Sequence, residues 1–148
     1  MPVSCANYNY FCTMITSSIT YEGGLHSTAV HVRSGKSIET DAPVDNQGKG
    51  EAFSPTDLLA TSLASCALTT MGIVGNKNNI NIDGATAEII KHMASDPRRV
   101  SKIELTIQMP KDKTYTESEK ELMVRTALTC PVAKSLHPDL IQAVEVKW

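Results

Sequence analysis

The chain has 148 residues, 41% of them apolar and 5% aromatic, with a formal net charge of -2. That length supports one domain with a real core. The small charge gives no pull toward nucleic acid or anionic membrane, and so few aromatics argue against a stacking platform for single strands. No continuous apolar run approaches the ~20 residues of a membrane-spanning helix.

Residues 1–13 differ from the rest. They carry Cys5, Cys12, Tyr8, Tyr10 and Phe11 but no charged side chain. They lack the basic start and continuous apolar centre of a signal peptide. With Met14 standing before the first strand pattern, residues 1–13 read as an upstream extension and 14–148 as the domain; a short ordered arm is the alternative. Without a signal, the expected location is the cytoplasm, where the four cysteines would be reduced at rest.

Residues 15–21 alternate and are rich in Ile and Thr, which predicts a strand. Glu22-Gly23-Gly24 is a turn signal, residues 27–33 alternate again, and Ser34-Gly35-Lys36 turns the chain into a short third strand at 37–40. The polar stretch 41–53 is a loop. Its Gly48-Lys49-Gly50 is too short for a phosphate-binding loop.

Ser54 and Pro55 then open a long helix, with Asp57 placed to complement its dipole. Leu59, Leu63, Cys66, Thr70 and Val74 form its apolar stripe, widened by Leu58, Ala67, Met71 and Ile73. Ala60, Thr61, Ser62, Ala64, Ser65 and Thr69 occupy the other side. A helix with no charged face demands cover on most sides, and a dimer in which two such helices meet would supply it.

Residues 76–79 end the helix. Strands follow at 85–93 and 100–109, joined by Asp96-Pro97-Arg98-Arg99. Thr116-Glu117-Ser118-Glu119 is a capping box that starts a second helix. It breaks at Cys130-Pro131, because the residue before proline is disfavoured in the α region. A helical turn at 132–136 and a strand ending in Val144, Val146 and Trp148 complete the order βββ-α-ββ-α-α-β, an α+β fold.

Cys66 and Cys130 both lie on apolar helical stripes, so the two thiols could approach each other. The start of a helical turn after Cys130 would favour a thiolate there. The competing reading is that both are small buried hydrophobes. The four cysteines and His26, His31, His92 and His137 form no Cys-x-x-Cys or His-x-x-x-His pair, which argues against structural zinc. A hydrolase with Cys66 as nucleophile lacks a histidine tied to it, and Ser62 and Ser65 sit in no Gly-x-Ser-x-Gly elbow.

At these same residues the sequence resembles a known family. The run from Phe53 to Cys66, FSPTDLLATSLASC, with Thr69-Thr70-Met71 after it, resembles the central helix of the OsmC/Ohr family of thiol peroxidases. Cys130-Pro131-Val132-Ala133-Lys134 resembles that family's second cysteine motif. Thr40-Asp41-Ala42-Pro43 and Gly48-Lys49-Gly50 also fit, and the likeness covers residues 14–148, nearest to the OsmC-like subgroup.

The resemblance implies an OsmC-like fold with antiparallel sheets around the long helix, and an intertwined homodimer with active sites at the subunit interface. It implies reduction of organic hydroperoxides, with Cys66 oxidised to a sulfenic acid and Cys130 closing a disulfide on it. An external dithiol, in the family typically a dihydrolipoyl group, would restore both thiols, with no flavin, haem or metal cofactor. Members of the family usually carry an arginine near the first hairpin turn and a glutamate early in the helix, which together hold the thiolate. Here those regions read Leu25-His26 and Thr56-Asp57. A His26–Asp57 pair is one replacement, and Arg33 or Arg125 another source of charge; His26 as an exposed turn residue is the plainer reading. Against the peroxidase stand a non-catalytic binder of small apolar molecules and a redox sensor that oxidises once.

Overall fold

The computed structural model of the chain describes residues 14–148; the expected extension at 1–13 lies outside them. The chain divides into two compact units, one up to Ser54 and one from Pro55 to Trp148.

The first unit is an antiparallel meander of β1 (Ser17–Gly23), β2 (His26–His31) and β3 (Ser37–Asp41), in the order β1-β2-β3. Ile19 faces Ala29, and Ala29 faces Ile38. The β1–β2 turn holds Gly23, Gly24 and Leu25 at positive φ, and two consecutive glycines let the chain reverse there without a Cβ penalty. The second strand stops at His31, so Arg33, expected on a strand, lies exposed in the β2–β3 turn. Most strand residues are open to solvent, and Asp41 and Ser54 are its buried polar residues.

The second unit holds α1 (Pro55–Asn78), β4 (Thr86–Ser95), β5 (Arg98–Gln108), α2 (Glu117–Leu128), α3 (Pro131–Ser135) and β6 (Ile141–Lys147). β4 and β5 form a hairpin in which Ile89 faces Leu105, with only Asp96 and Pro97 between the strands. Along β5, Ile103, Leu105 and Ile107 turn inward at period two. They join Leu63 and Met71 of α1, Met123 of α2, Met109 and Cys130 in one core, all at most 1% exposed. Each large aliphatic side chain removed from water contributes about 1.5–3 kcal/mol, so this layer of helix on sheet carries most of the unit's stability.

Three expectations need correction. β6 pairs with β5 in parallel, Leu105 beside Val144, so the second sheet is mixed. The chain leaves the end of β5 and returns through α2 and α3, and such a crossover delivers a parallel strand. The buried face of α1 is Ala60, Leu63, Ala64, Ala67, Met71 and Gly75, whereas Leu59 and Ile73 are exposed. Small residues let the helix lie close to its neighbours, so alanines rather than the largest side chains mark the inward side. Finally, α1 has 24 residues whose only charges are Asp57 and Lys77, and by length and composition it is long and apolar enough to cross a membrane. Its threonines and serines interrupt any continuous apolar run but barely lower the mean.

The capping box is formed as expected. The Glu119 amide donates to Thr116 Oγ1 at 3.3 Å, and the Thr116 amide donates to the Glu119 carboxylate at 2.7 Å.

Candidate active site

The second unit brings Cys66 and Cys130 together. Cys66 sits midway along α1 beside the buried stripe and is half-buried; Cys130 is fully buried, and both are free thiols. Thr70, one turn after Cys66, donates its hydroxyl to the Cys66 carbonyl at 2.8 Å, leaving Oγ1 4.0 Å from the Cys66 sulfur.

Cys130 is the N-cap of α3. Its extended backbone, set by the following Pro131, lets its sulfur accept the Ala133 amide at 3.5 Å. Burial pushes the Cys130 thiol above its ordinary value. The Ala133 amide opposes that, Cys66 raises the value further through hydrogen bonding and charge, and the Val132 amide lowers it. The amide donors at the start of α3 do favour a thiolate, but the loss of water outweighs them. Cys66 packs against the core to which Cys130 belongs.

Asp57 and Thr56, at the start of α1, bind Lys91 of β4, whose ammonium donates to Asp57 Oδ1 at 2.6 Å and Thr56 Oγ1 at 2.9 Å. Lys91 keeps only 16% of its side-chain exposure. Sequence reasoning missed it, although the signal was there: Ala87, Ile89, Lys91 and Met93 share the inward register of β4, and a lysine among them needs a buried partner.

In the first unit His26 is bound to Asp41, not to Asp57. Its Nδ1 lies 2.6 Å from Asp41 Oδ1, and its Nε2 is 3.7 Å from Glu22. The other Asp41 oxygen accepts the amides of Glu51 and Ala52 at 2.9 and 3.1 Å, closing the 42–52 loop. The hydrogen bond to Asp41 raises the His26 pKa, burial opposes it, and the charges of Asp41, Glu22 and Glu39 add to it. Asp41 is held below the usual carboxylate range by the same bond, against burial, with help from the Glu51 amide, the His26 charge and the Ala52 amide. His26 is thus the partner of a loop-closing carboxylate. Asp41 stands before a proline-containing polar loop, the one sequence sign that it would turn back on its own backbone. Among the described residues no group of three or more His, Cys, Asp or Glu gathers as a metal site.

A small meander, a mixed sheet under a long helix, and two reduced thiols from separate helices define a cysteine-bearing α+β protein. The family model for OsmC-like proteins matches residues 48–143, and the chain belongs to that family. Among solved structures, a Psychrobacter arcticus protein named for osmotic stress induction and a detoxification response is 54% identical. The match covers 93% of this chain and 99% of that one, with a TM-score of 0.86. At 17% identity, the organic hydroperoxide resistance protein OsmC of Legionella pneumophila shares the fold, with a TM-score of 0.71 over 91% of this chain and 98% of that one. OhrB of Bacillus subtilis does so at 18% identity, with a TM-score of 0.64 over 90% and 98%. A search of curated proteins gave no match.

Proposed function

We propose that the protein is a thiol-dependent peroxidase for organic hydroperoxides, with Cys66 peroxidatic and Cys130 resolving. One observation supports the reading: two free thiols, one partly open on α1 and one buried at the α2–α3 junction, belong to the same packed core. The Cys66 thiolate attacks the outer peroxide oxygen; an S–O bond forms, the O–O bond breaks, and the alkoxide leaves as an alcohol after taking a proton. The Cys130 sulfur then displaces the sulfenic oxygen as water and closes the disulfide. An external dithiol, such as a dihydrolipoyl group, reopens it by exchange, in a reducing compartment such as the cytoplasm. Kinship with organic hydroperoxide resistance folds and with a detoxification-named relative supports the substrate class. The chemistry rests on Cys66 and Cys130; His26, bound to Asp41, Asp57, bound to Lys91, and the exposed Arg33 are given no step.

The same reading makes the protein a homodimer. Ile19, Tyr21, Val30 and Ile38 of the first unit and Leu59 and Ile73 of α1 are exposed apolar side chains. Exposed apolar side chains on this scale favour a protein surface over water, and a second copy would cover them.

Turnover of cumene hydroperoxide with dihydrolipoamide is the test, on wild type, Cys66→Ser and Cys130→Ser. Cys66→Ser abolishes consumption, and Cys130→Ser accumulates a sulfenic acid that dimedone traps. Consumption that stops at about one equivalent per thiol pair marks a sensor, and none at all marks a binder; either ends the peroxidase reading.

A further inference from the structure

We propose that Gln142 of β6 is a positioning residue for the resolving sulfur, an inference that rests on the roles of Cys66 and Cys130 given above. The Ala133 residue of α3 is held from both ends. Its amide donates to the Cys130 sulfur at 3.5 Å, and its carbonyl accepts the Gln142 side-chain amide at 2.9 Å. A carbonyl cannot donate, so the nitrogen of Gln142 must be the atom that faces it.

The need for such a tie follows from the size of α3. Five residues are far too few to hold a helix by their own hydrogen bonds. Within α3, the Lys134 amide reaches the Cys130 carbonyl at 3.1 Å and the Leu136 amide reaches Val132 at 3.2 Å. Gln142, by contrast, is fixed by the sheet: it lies beside Ile103 of β5, whose side chain is fully buried. The amide of Gln142 therefore transmits the rigidity of the sheet to the one turn of helix that orients the Cys130 sulfur. Ala133 is itself 8% exposed, so water has little room to replace the bond if it is lost.

The step this serves is closure of the disulfide. The Cys130 sulfur must supply the electron pair for the S–S bond while the S–O bond of the Cys66 sulfenic acid breaks. The oxygen departs as water with the thiol proton, and no further oxidant is needed. Attack of peroxide on Cys66 happens on α1 and does not require α3 to be held. Gln142 thus acts on the second chemical step and leaves the first alone, a split that general loosening of the fold would not produce.

The test follows both steps after one addition of cumene hydroperoxide, with sulfenic acid trapped by dimedone and disulfide read by alkylation and mass. Gln142→Ala should close the disulfide about three- to tenfold more slowly, as loss of one part-buried hydrogen bond implies. Sulfenic acid should form within about twofold of the wild-type rate. Gln142→Glu keeps the shape but places a carboxylate against the Ala133 carbonyl, and should be at least as slow. Gln142→His, which can donate again, should recover part of the rate. Unchanged closure in Gln142→Ala and Gln142→Glu, or equal slowing of both steps, overturns the proposal while the peroxidase reading stands. A wild type that forms no sulfenic acid at Cys66 overturns both.

Discussion

Replacing Gly75 by alanine should destabilise the protein, although the residue lies in a helix, where alanine is normally preferred. The α1 helix ends at Asn78, and Asn79 takes the left-handed conformation at φ 57°. The Ile80 amide then donates back to the Gly75 carbonyl at 2.9 Å, which closes a Schellman motif. That fold-back brings the Ile80 carbonyl over the helix, so a Cβ on Gly75 would meet its oxygen at 2.5 Å. Alanine gains about 1 kcal/mol in helix propensity. Against this, the Ile80 oxygen must retreat, at an overpacking cost of about 1–3 kcal/mol, and the returning hydrogen bond, worth about 1 kcal/mol, is strained. The costs exceed the gain by about 1–3 kcal/mol. Gly72, one turn earlier, is the control: a Cβ there meets no described atom within 4 Å, so Gly72→Ala should stabilise by about 0.5–1 kcal/mol. Urea unfolding by circular dichroism, at one fixed protein concentration, measures both. Gly75→Ala as stable as wild type, or the two variants moving in the same direction, would refute the reasoning.

Removing the Cys66 thiol in Cys66→Ala should move the alkylation–pH midpoint of Cys130 to lower pH, because Cys66 raises the Cys130 value; an unmoved or rising midpoint would disprove the coupling. His26 has a folded pKa raised above 6.5, so its charged pair with Asp41 stabilises fully below that value and is lost as pH rises through the folded value. The stability gap between wild type and His26→Ala should therefore be largest near pH 6 and shrink toward alkaline pH, and a gap that does not change over pH 6–9 in urea titrations would count against the pair. Thr116→Ala deletes the capping hydroxyl of α2 and should cost about 1 kcal/mol in the same unfolding assay, with no loss meaning that the box is cosmetic.

Much of this fold is written in short-range signals. The period-two run through Ile103, Leu105 and Ile107, the capping box at Thr116 and the proline break at Cys130-Pro131 each name their own structure, because each depends on neighbours within a few residues. What escaped the sequence depends on partners far along the chain. The parallel setting of β6 is decided by where α2 and α3 lead, and the inward side of α1, with its buried Ala60, Ala64 and Ala67, by which elements pack against it. The same holds at the site. Cys66 and Cys130 stood out as thiols on apolar stripes, but the bond from Lys91 to Asp57 spans 34 residues and that from His26 to Asp41 spans 15. The balance at Cys130 divides the same way: the donors of a helix start are visible in sequence, whereas exclusion of water is a property of the packed interior.

Position 130 also has an architectural duty, since its side chain fastens the first turn of α3. Oxygen does that work at least as well as sulfur, because serine is among the favoured residues at such a corner. Exchanging the one atom for the other should therefore leave the joint between the two helices standing. Whatever the Cys130→Ser protein then fails to do can be charged to missing sulfur reactivity and not to a collapsed scaffold, which makes this position an unusually clean place to separate architecture from redox chemistry.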